Sequence, residues 1–487
     1  AFEKQQADNR KKWLENKQDT SLDYNNKNIN FSNFINEELK LFSYADLERS
    51  IPNIVDGFKP SIRKILYACF LRKLNTKKDE IKVSQLAGYV SDKTNYHHGE
   101  NSLYAAIVNM AQNYVGSNNI NLLYPSGQFG TRLLGGKDHA SPRYIFTYLN
   151  NLTRYIFREE DECILEYLNE DGISIEPKTY YPILPMILVN GTEGIGTGFS
   201  TNIPPYNPLD IVDNIKRLIK NKPVKPMVPW YNNFKGTKKQ SENTIYINGN
   251  YDIIDDNTIC INELPIGMDT TKYKNYLESI EINNGNNKEI ITEFRDNNTE
   301  TEVNFIVSFP NKKLEKGISN DTINNKLKLE KTLKLNNMHL FTNDNKIKKF
   351  NNVEEILIEF YNIRLPLYEK RRNTIIKKLE YNLLIIENRV KFIDYKINKK
   401  IIIDKKKKKD IIINLEKYKF SKLKLLNDKT ECYDYLFKMD ILTFSKEKID
   451  ELNKLNKLKL NELNNYKKLK TKDIWNNELN LFIKNYK

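Results

Sequence analysis

Cysteine is scarce and dispersed. The four residues Cys69, Cys163, Cys260 and Cys432 lie far apart with no CxxC pair, so the pattern suggests neither a disulfide framework nor a structural zinc site. The four histidines are also scattered, apart from adjacent His97 and His98, and adjacency is poor spacing for two ligands on one helix. No uninterrupted apolar run approaches the roughly 18 residues of a membrane span. The first residues, AFEKQQADNRKKWLENKQ, lack the apolar core and cleavage motif of a secretory leader. The chain therefore reads as soluble and intracellular, and its start at Ala1 rather than methionine suggests a piece of a larger protein.

Positive charge and length are plentiful. Lysine and arginine number 78 against 63 aspartate and glutamate, a formal charge of +15. That excess favours polyanions and makes nucleic acid the first partner to consider, although abundant Lys and Asn from an AT-rich coding sequence would produce much of it too. A chain of 487 residues exceeds the roughly 250 to 300 at which single cores stop growing, so several domains are expected.

Residues 1–28 are polar and Asn-rich and read as a connector, with order beginning near Ser32. NFINEELKLFSYADLERSIP has the apolar spacing of a short helix, and VDGFKPSIRKILYACFLRKL gives another, with Lys59-Pro60 placing proline in its first turn. An amphipathic stretch, GENSLYAAIVNMAQNYVG, precedes a segment punctuated by Gly127, Gly130, Gly135 and Gly136 that suggests a hairpin with a loose tip. Helices followed by a basic β-hairpin form the element order of a winged-helix domain. From about 150 to 350, short alternating runs (NTIYINGNY, TICINELPI, VNFIVSFP) predict a mixed α/β domain, with Asn/Lys-rich stretches near 283–290 and 341–352 as solvated loops. Beyond 353, the series Ile375, Leu379, Leu383, Ile386, Val390, Ile393, Ile397 forms a coiled-coil stripe. A second arm, about Lys446 to Leu469, is expected to pair with it antiparallel, and Pro366 is expected to kink or interrupt the first. The run Lys405 to Lys409 has nothing aromatic beside it in sequence and reads as a solvated tip.

Four blocks carry a family resemblance: RSIPNIVDGFKPSIRKILYACF (Arg49 to Phe70), YHHGENSL (Tyr96 to Leu103), GQFGTRLLGGKDHASPRYIFT (Gly127 to Thr147) and ILPMILVNGTEGIGTGFSTNIPP (Ile183 to Pro205). In this order and spacing the chain resembles the DNA breakage-and-reunion region of type IIA DNA topoisomerases of the eukaryotic type. The likeness extends to the end, through FYNIRLPLYEKRR, YDYLFKMDILTFSKEKIDEL and DIWNNELNLF. It implies a multidomain α+β fold: a connector over 1–28, a winged-helix cleavage domain over 29–150, a mixed α/β tower over 151–350, and a long antiparallel coiled coil with a helical dimerisation gate over 351–487. It also implies an ATP-hydrolysing enzyme that binds double-stranded DNA as a nuclear homodimer. No EGDS-like acidic loop and no ATPase segment is found, so the Mg²⁺ ligands are expected in a TOPRIM domain and ATP in an ATPase domain outside this chain.

The resemblance also assigns residues. Tyr144, in ASPRYIFT, corresponds to the nucleophile that joins a DNA 5′ end; for any of the 29 tyrosines taken alone, a packed ring with its hydroxyl at the surface is the ordinary reading. A phenol, with its pKa of about 10, needs help to lose its proton and to stabilise charge on phosphorus. Arg143 corresponds to the arginine that holds the scissile phosphate, where a guanidinium grips two oxygens and an ammonium one. His98 is the expected phosphate-side donor, with His97 supporting the turn. Arg49, Lys59 and Arg63 match backbone-phosphate contacts, which position a duplex and carry little sequence information; Arg132 and Lys137 come from the same small domain. Ile195 matches the isoleucine that wedges between base pairs. The surrounding GIGTG also fits a dinucleotide loop, but the two prolines of STNIPPYNP leave no helix to receive a pyrophosphate.

Two other readings stand beside this one. A non-catalytic architectural DNA-binding protein with a coiled-coil dimeriser accounts for the charge and the heptads, but does not require Arg143-Tyr144 in its motif. A bacterial gyrase-like protein lies within the family, but the motif variants look eukaryotic.

Overall fold

Proline at the head of a helix fixes the residue before it. Lys59 is held extended (φ −86°, ψ 159°) ahead of Pro60, which opens the helix Pro60–Leu71, as the clash of the proline ring with its predecessor requires. Ile65, Leu66, Ala68 and Cys69 face inward. Helix Val83–Thr94 buries Val83, Leu86, Ala87, Val90 and Thr94 and ends on Asn95 in the left-handed conformation, which asparagine tolerates. Helix Glu100–Ala111 buries Leu103, Ile107, Val108, Met110 and Ala111. Against these three lies an antiparallel sheet in which Phe146–Leu149 sits between Ile81–Lys82 and Leu123–Ser126. This is the winged helix expected from the element order. The segment KVSQLAGYVSDKT, which its sequence pattern left unassigned, supplies the second helix.

The computed structural model describes residues 6–15, 22, 25, 28–241, 243–281, 290–310, 320–403, 406–424, 431–440, 443 and 446–486. The 283–290 stretch, save Ile290, and Lys405 lie outside them. The chain divides into two compact units, Ala1–Arg364 with Asn476–Lys487, and Leu365–Trp475.

In the first unit a helix, Ala7–Glu15, falls inside the stretch whose composition predicts a connector. It is anchored by Leu14, buried with Tyr44, Leu47, Ile51 and Phe341. The helix expected after residue 32 is two, Phe31–Asn36 and Glu38–Ser50, joined at Glu37. The expected mixed domain has a four-stranded sheet (Asn250–Ile253, Thr258–Glu263, Phe305–Ser308, Glu293–Asp296) and a three-stranded one (Glu330–Lys334, Thr244–Asn248, Thr237–Ser241). Helix Thr270–Ile280 covers a core that includes Ile259, Ile261, Tyr273, Leu277 and Phe305. Residues 341–352 are not a solvated loop. Strands Met338–Phe341 and Ile347–Phe350 pair as a hairpin, because Met338, Leu340 and Phe350 have a buried face to fill.

The second unit contains most of the helix Val353–Ile397, which runs unbroken through Pro366. One proline removes a single backbone bond, and just beyond it Tyr368 is fully buried and stacked on Trp475, with ring centroids 5.1 Å apart, which holds the next turn helical. The stripe pairs as expected: Leu379 and Leu383 meet Leu463, while Ile386 and Ile393 meet Leu452. The partner numbers fall as the first rise, so helix Lys446–Lys468 is antiparallel. Ile397, last in the series, is 47 % exposed and leaves the seam.

Candidate active site

The wing of the winged helix carries the tyrosine. Between Leu123–Ser126 and Phe146–Leu149, residues 127–145 form a loop whose last turn contains Pro142, Arg143 and Tyr144. The Tyr144 N–H donates to the Ser141 carbonyl at 2.9 Å. At the start of helix Val83–Thr94, the N–H of Ser84 donates to the Pro142 carbonyl at 3.1 Å and that of Val83 to the Ile145 carbonyl at 3.0 Å. First-turn amides have no partner inside their own helix, so the helix start clamps the turn from both sides. Ile145 is buried while Tyr144 is 72 % exposed, the opposite of a tyrosine used for packing. Arg143 is exposed too, with its guanidinium carbon 6.0 Å from the Tyr144 ring centre. Tyr104, whose hydroxyl donates to Glu100 at 2.8 Å, has its pKa raised by that bond, with Arg143 opposing the rise. The turn therefore lies beside the start of helix Glu100–Ala111.

The histidine turn leads into that same helix. The His97 Nε2 is 2.8 Å from Glu170 Oε1, and this hydrogen bond holds the Glu170 carboxyl below its usual range. His98 is exposed and meets Tyr96 edge-on at 5.3 Å. His97 thus braces the turn and His98 faces outward, the division expected from sequence. His98 and Arg49 line one cavity of about 700 Å³ together with Lys64, Glu170 and Glu176. The half-buried Lys64 Nζ donates to the Thr94 carbonyl at 2.6 Å and pairs with Glu176 at 2.9 Å, tying down the end of the preceding helix.

The GIGTG segment is a β-hairpin, Thr192–Ile195 against Ser200–Ile203, and the next helix begins only at Pro208. Ile195 is 79 % exposed at its tip. Its neighbours are held closely: a side chain on Gly194 would collide with the Ser50 carbonyl, and one on Gly196 would come within 2.9 Å of Leu47. Asp46 Oδ2 accepts from both the backbone N–H and the hydroxyl of Thr197 at 2.9 Å. Lys59 Nζ donates to the Glu193 carbonyl at 3.1 Å, and burial lowers its pKa.

The remaining expected contacts divide. Lys137 is exposed. Arg63 is committed to fully buried Asp56, with Nε at 2.6 Å and Nη2 at 3.2 Å, and to the Phe58 carbonyl at 2.8 Å. Asp56 also receives the N–H groups of Phe58 and Tyr180. Arg132 is 7 % exposed and paired with Glu263. Neither arginine presents a free guanidinium to a phosphate in this structure; both face inward because a buried carboxylate demands them. Among the described residues no group of three or more His, Cys, Asp or Glu gathers as a metal cage.

Sequence reading misses Asp46, Lys64, Glu170, Glu176 and Glu263. Each acts on a partner at least 70 residues away, where no local spacing signals it.

A family model describing the A subunit of DNA gyrase/topoisomerase IV matches residues 49–480, and one described as "C-terminal associated domain of TOPRIM" matches residues 1–47. "DNA topoisomerase 2" of Arabidopsis thaliana is 43 % identical over 93 % of this chain and 33 % of its own length. "DNA topoisomerase 2, mitochondrial" of Dictyostelium discoideum is 43 % identical over 94 % of this chain and 35 % of its own. The chain thus spans about a third of the length of these relatives. Among solved structures, the Plasmodium falciparum topoisomerase II DNA-binding, cleavage and re-ligation domain matches with a TM-score of 0.87 at 40 % identity, covering 99 % of this chain and 68 % of that one.

Proposed function

The chain belongs to the DNA gyrase/topoisomerase IV family, in the branch of its DNA-cleaving A subunit, and from that membership we propose that it is the DNA breakage-and-reunion part of an ATP-dependent type II DNA topoisomerase of the eukaryotic type. The observation that carries this reading is the pairing of an exposed Tyr144 with an exposed Arg143 on a turn clamped by a helix start. An architectural binder has no use for that arrangement.

In the proposed reaction the Tyr144 oxygen attacks a backbone phosphorus. The bond from phosphorus to the 3′ oxygen breaks as the bond from phosphorus to tyrosine forms, the phenol loses its proton, and the departing 3′ oxygen gains one. The product is a 5′-phosphotyrosyl end and a free 3′-hydroxyl. One phosphodiester replaces another, so the reverse attack reseals the strand without external energy. Arg143 holds the non-bridging oxygens, His98 and Arg49 approach from the shared cavity, and Lys59 and Lys137 position the duplex. Mg²⁺ assistance is expected of such transfers. The described residues offer no metal cage, and the reading assigns the Mg²⁺ ligands, like the ATP site, to TOPRIM and ATPase regions. Two copies joined through the coiled-coil unit would cut both strands and let a second duplex pass. Eukaryotic relatives support a nuclear location and one mitochondrial relative opposes it; a fluorescent fusion in the source cell decides.

The test is to incubate this chain, carried in its full-length enzyme, with supercoiled plasmid and Mg²⁺ and to quench with detergent. Protein-linked linear DNA is the expected product. Tight binding without any adduct would remove the enzymatic reading.

Ile195 gives a separate outcome. Wedging an apolar side chain between base pairs costs a few kcal/mol of stacking and yields a bend. Ile195→Ala is expected to reduce the bend of a short duplex, read by energy transfer between its ends, while leaving the hairpin folded. An unchanged bend would show that the tip does not wedge.

A further inference from the structure

Arg132 is expected from sequence to face DNA, yet it is sunk into the tower. Its Nη2 donates to Glu263 Oε1 and to the Leu264 carbonyl at 3.2 Å, and the two side chains are 8 % and 1 % exposed. Glu263, which ends the central strand Thr258–Glu263, also takes the N–H of Leu264 at 2.9 Å and of Lys235 at 3.0 Å. The backbone joins in: the N–H of Thr270 donates to the Arg132 carbonyl at 3.3 Å and that of Thr271 to the Leu133 carbonyl at 3.0 Å. Loop carbonyls thus serve the otherwise unpaired first amides of helix Thr270–Ile280.

From Arg132 the loop is stitched continuously toward the tyrosine. Thr131 is bonded through its N–H and its hydroxyl to Asp138. Gly136 donates to the Thr131 carbonyl at 2.8 Å and Ala140 to the Gln128 carbonyl at 2.9 Å. Buried Gln112 donates to the carbonyls of Phe129 at 2.9 Å and Gly136 at 3.0 Å. Gly136 sits at φ +80°, and a side chain there would collide with that same amide. A loop fastened this way moves as a piece, and one end of the piece is bolted to the tower sheet.

We infer that Arg132 and Glu263 are a positioning pair that sets the register of the tyrosine-bearing loop on the tower, so that losing either displaces Tyr144 and leaves the grip on DNA phosphates intact. This rests on the breakage-reunion reading of Tyr144. It assigns a role in the reaction to an acidic residue of the tower that has no business at a DNA backbone.

The experiment compares Arg132→Gln, Glu263→Gln and the double variant in the full-length enzyme, reading adduct yield at saturating DNA and the salt dependence of DNA binding. Each single change leaves a buried charge without its partner. Adduct yield is expected to fall by about a hundredfold, the order that a misplacement of ~1 Å costs at a reacting group. The double change leaves two neutral amides that hydrogen-bond, and most of the yield is expected to return. The logarithmic salt slope is expected to stay at the wild-type value in all three. A phosphate-contact role for Arg132 gives the opposite pattern: a slope smaller by about 0.9 for Arg132→Gln, an unimpaired Glu263→Gln, and no rescue. If the single variants fail to fold, the double variant decides, because a folded double that cleaves supports the pair and one that binds without cleaving overturns it. Absence of adduct in the wild type would instead remove the underlying reading.

Discussion

Replacing Tyr144 with phenylalanine is expected to abolish covalent attachment to DNA while leaving DNA affinity within about twofold, because an exposed hydroxyl makes no contact on which the fold depends. The ring is 72 % exposed and its turn is held entirely by backbone bonds from Ser84, Val83 and Ser141, so the substitution removes one oxygen and nothing structural. Detergent-trapped complexes read the first expectation and mobility-shift titration the second. Arg143→Lys, next to it, keeps the charge but loses the two-oxygen grip, and is expected to lower adduct yield by about tenfold or more. A Tyr144→Phe protein that still forms adduct would mean that another residue attacks.

The largest stability effect is expected at Arg364. It lies in the long helix, 1 % exposed, with Nη2 2.6 Å from Asp161 Oδ2 and Nε 3.1 Å from the Pro182 carbonyl. Asp161 is itself 2 % exposed. Breaking one side of a buried pair costs about 3–5 kcal/mol, since the remaining charge has lost its counter-ion. Arg364→Met is therefore expected to lower the urea midpoint markedly, and Arg364→Met with Asp161→Leu to regain much of it. The anchor also has a functional side. Pro182 opens the buried run from Ile183 to Val189 that leads into the Ile195 hairpin, so the single variant is expected to lose DNA bending before it unfolds. Equal midpoints for the single variant and the wild type would show that the pair contributes little.

What was legible in the sequence was whatever is written locally. Lys59-Pro60 marks a helix start, the spaced isoleucines and leucines mark the seam that meets Leu463 and Leu452, and the glycine-rich stretch marks the loop that carries Tyr144. The blocks that resemble the family supplied the candidate residues, because Tyr144 among its 28 siblings, from a total of 29, is not distinguished by composition. What was not legible depends on distant partners. Nothing near Arg63 says that Asp56 will hold it, and nothing near Arg132 says that a strand 131 residues later will end in Glu263. A basic residue in a DNA-binding domain reads as a phosphate contact until a buried carboxylate competes for it. The 341–352 segment misled for a related reason: its lysines and asparagines are turn and outward positions of a hairpin, and Phe350 fills the inner face.

The most direct test is chemical identification of the attachment point. The full-length enzyme would be trapped on DNA, digested with protease and nuclease, and the nucleotide-bearing peptide sequenced by mass spectrometry. The expected result is a peptide containing ASPRYIFT with a 5′-phosphoryl nucleotide on Tyr144 and a free 3′-hydroxyl on the opposing DNA end. Attachment at any other residue, or through a 3′ phosphate, would contradict the account.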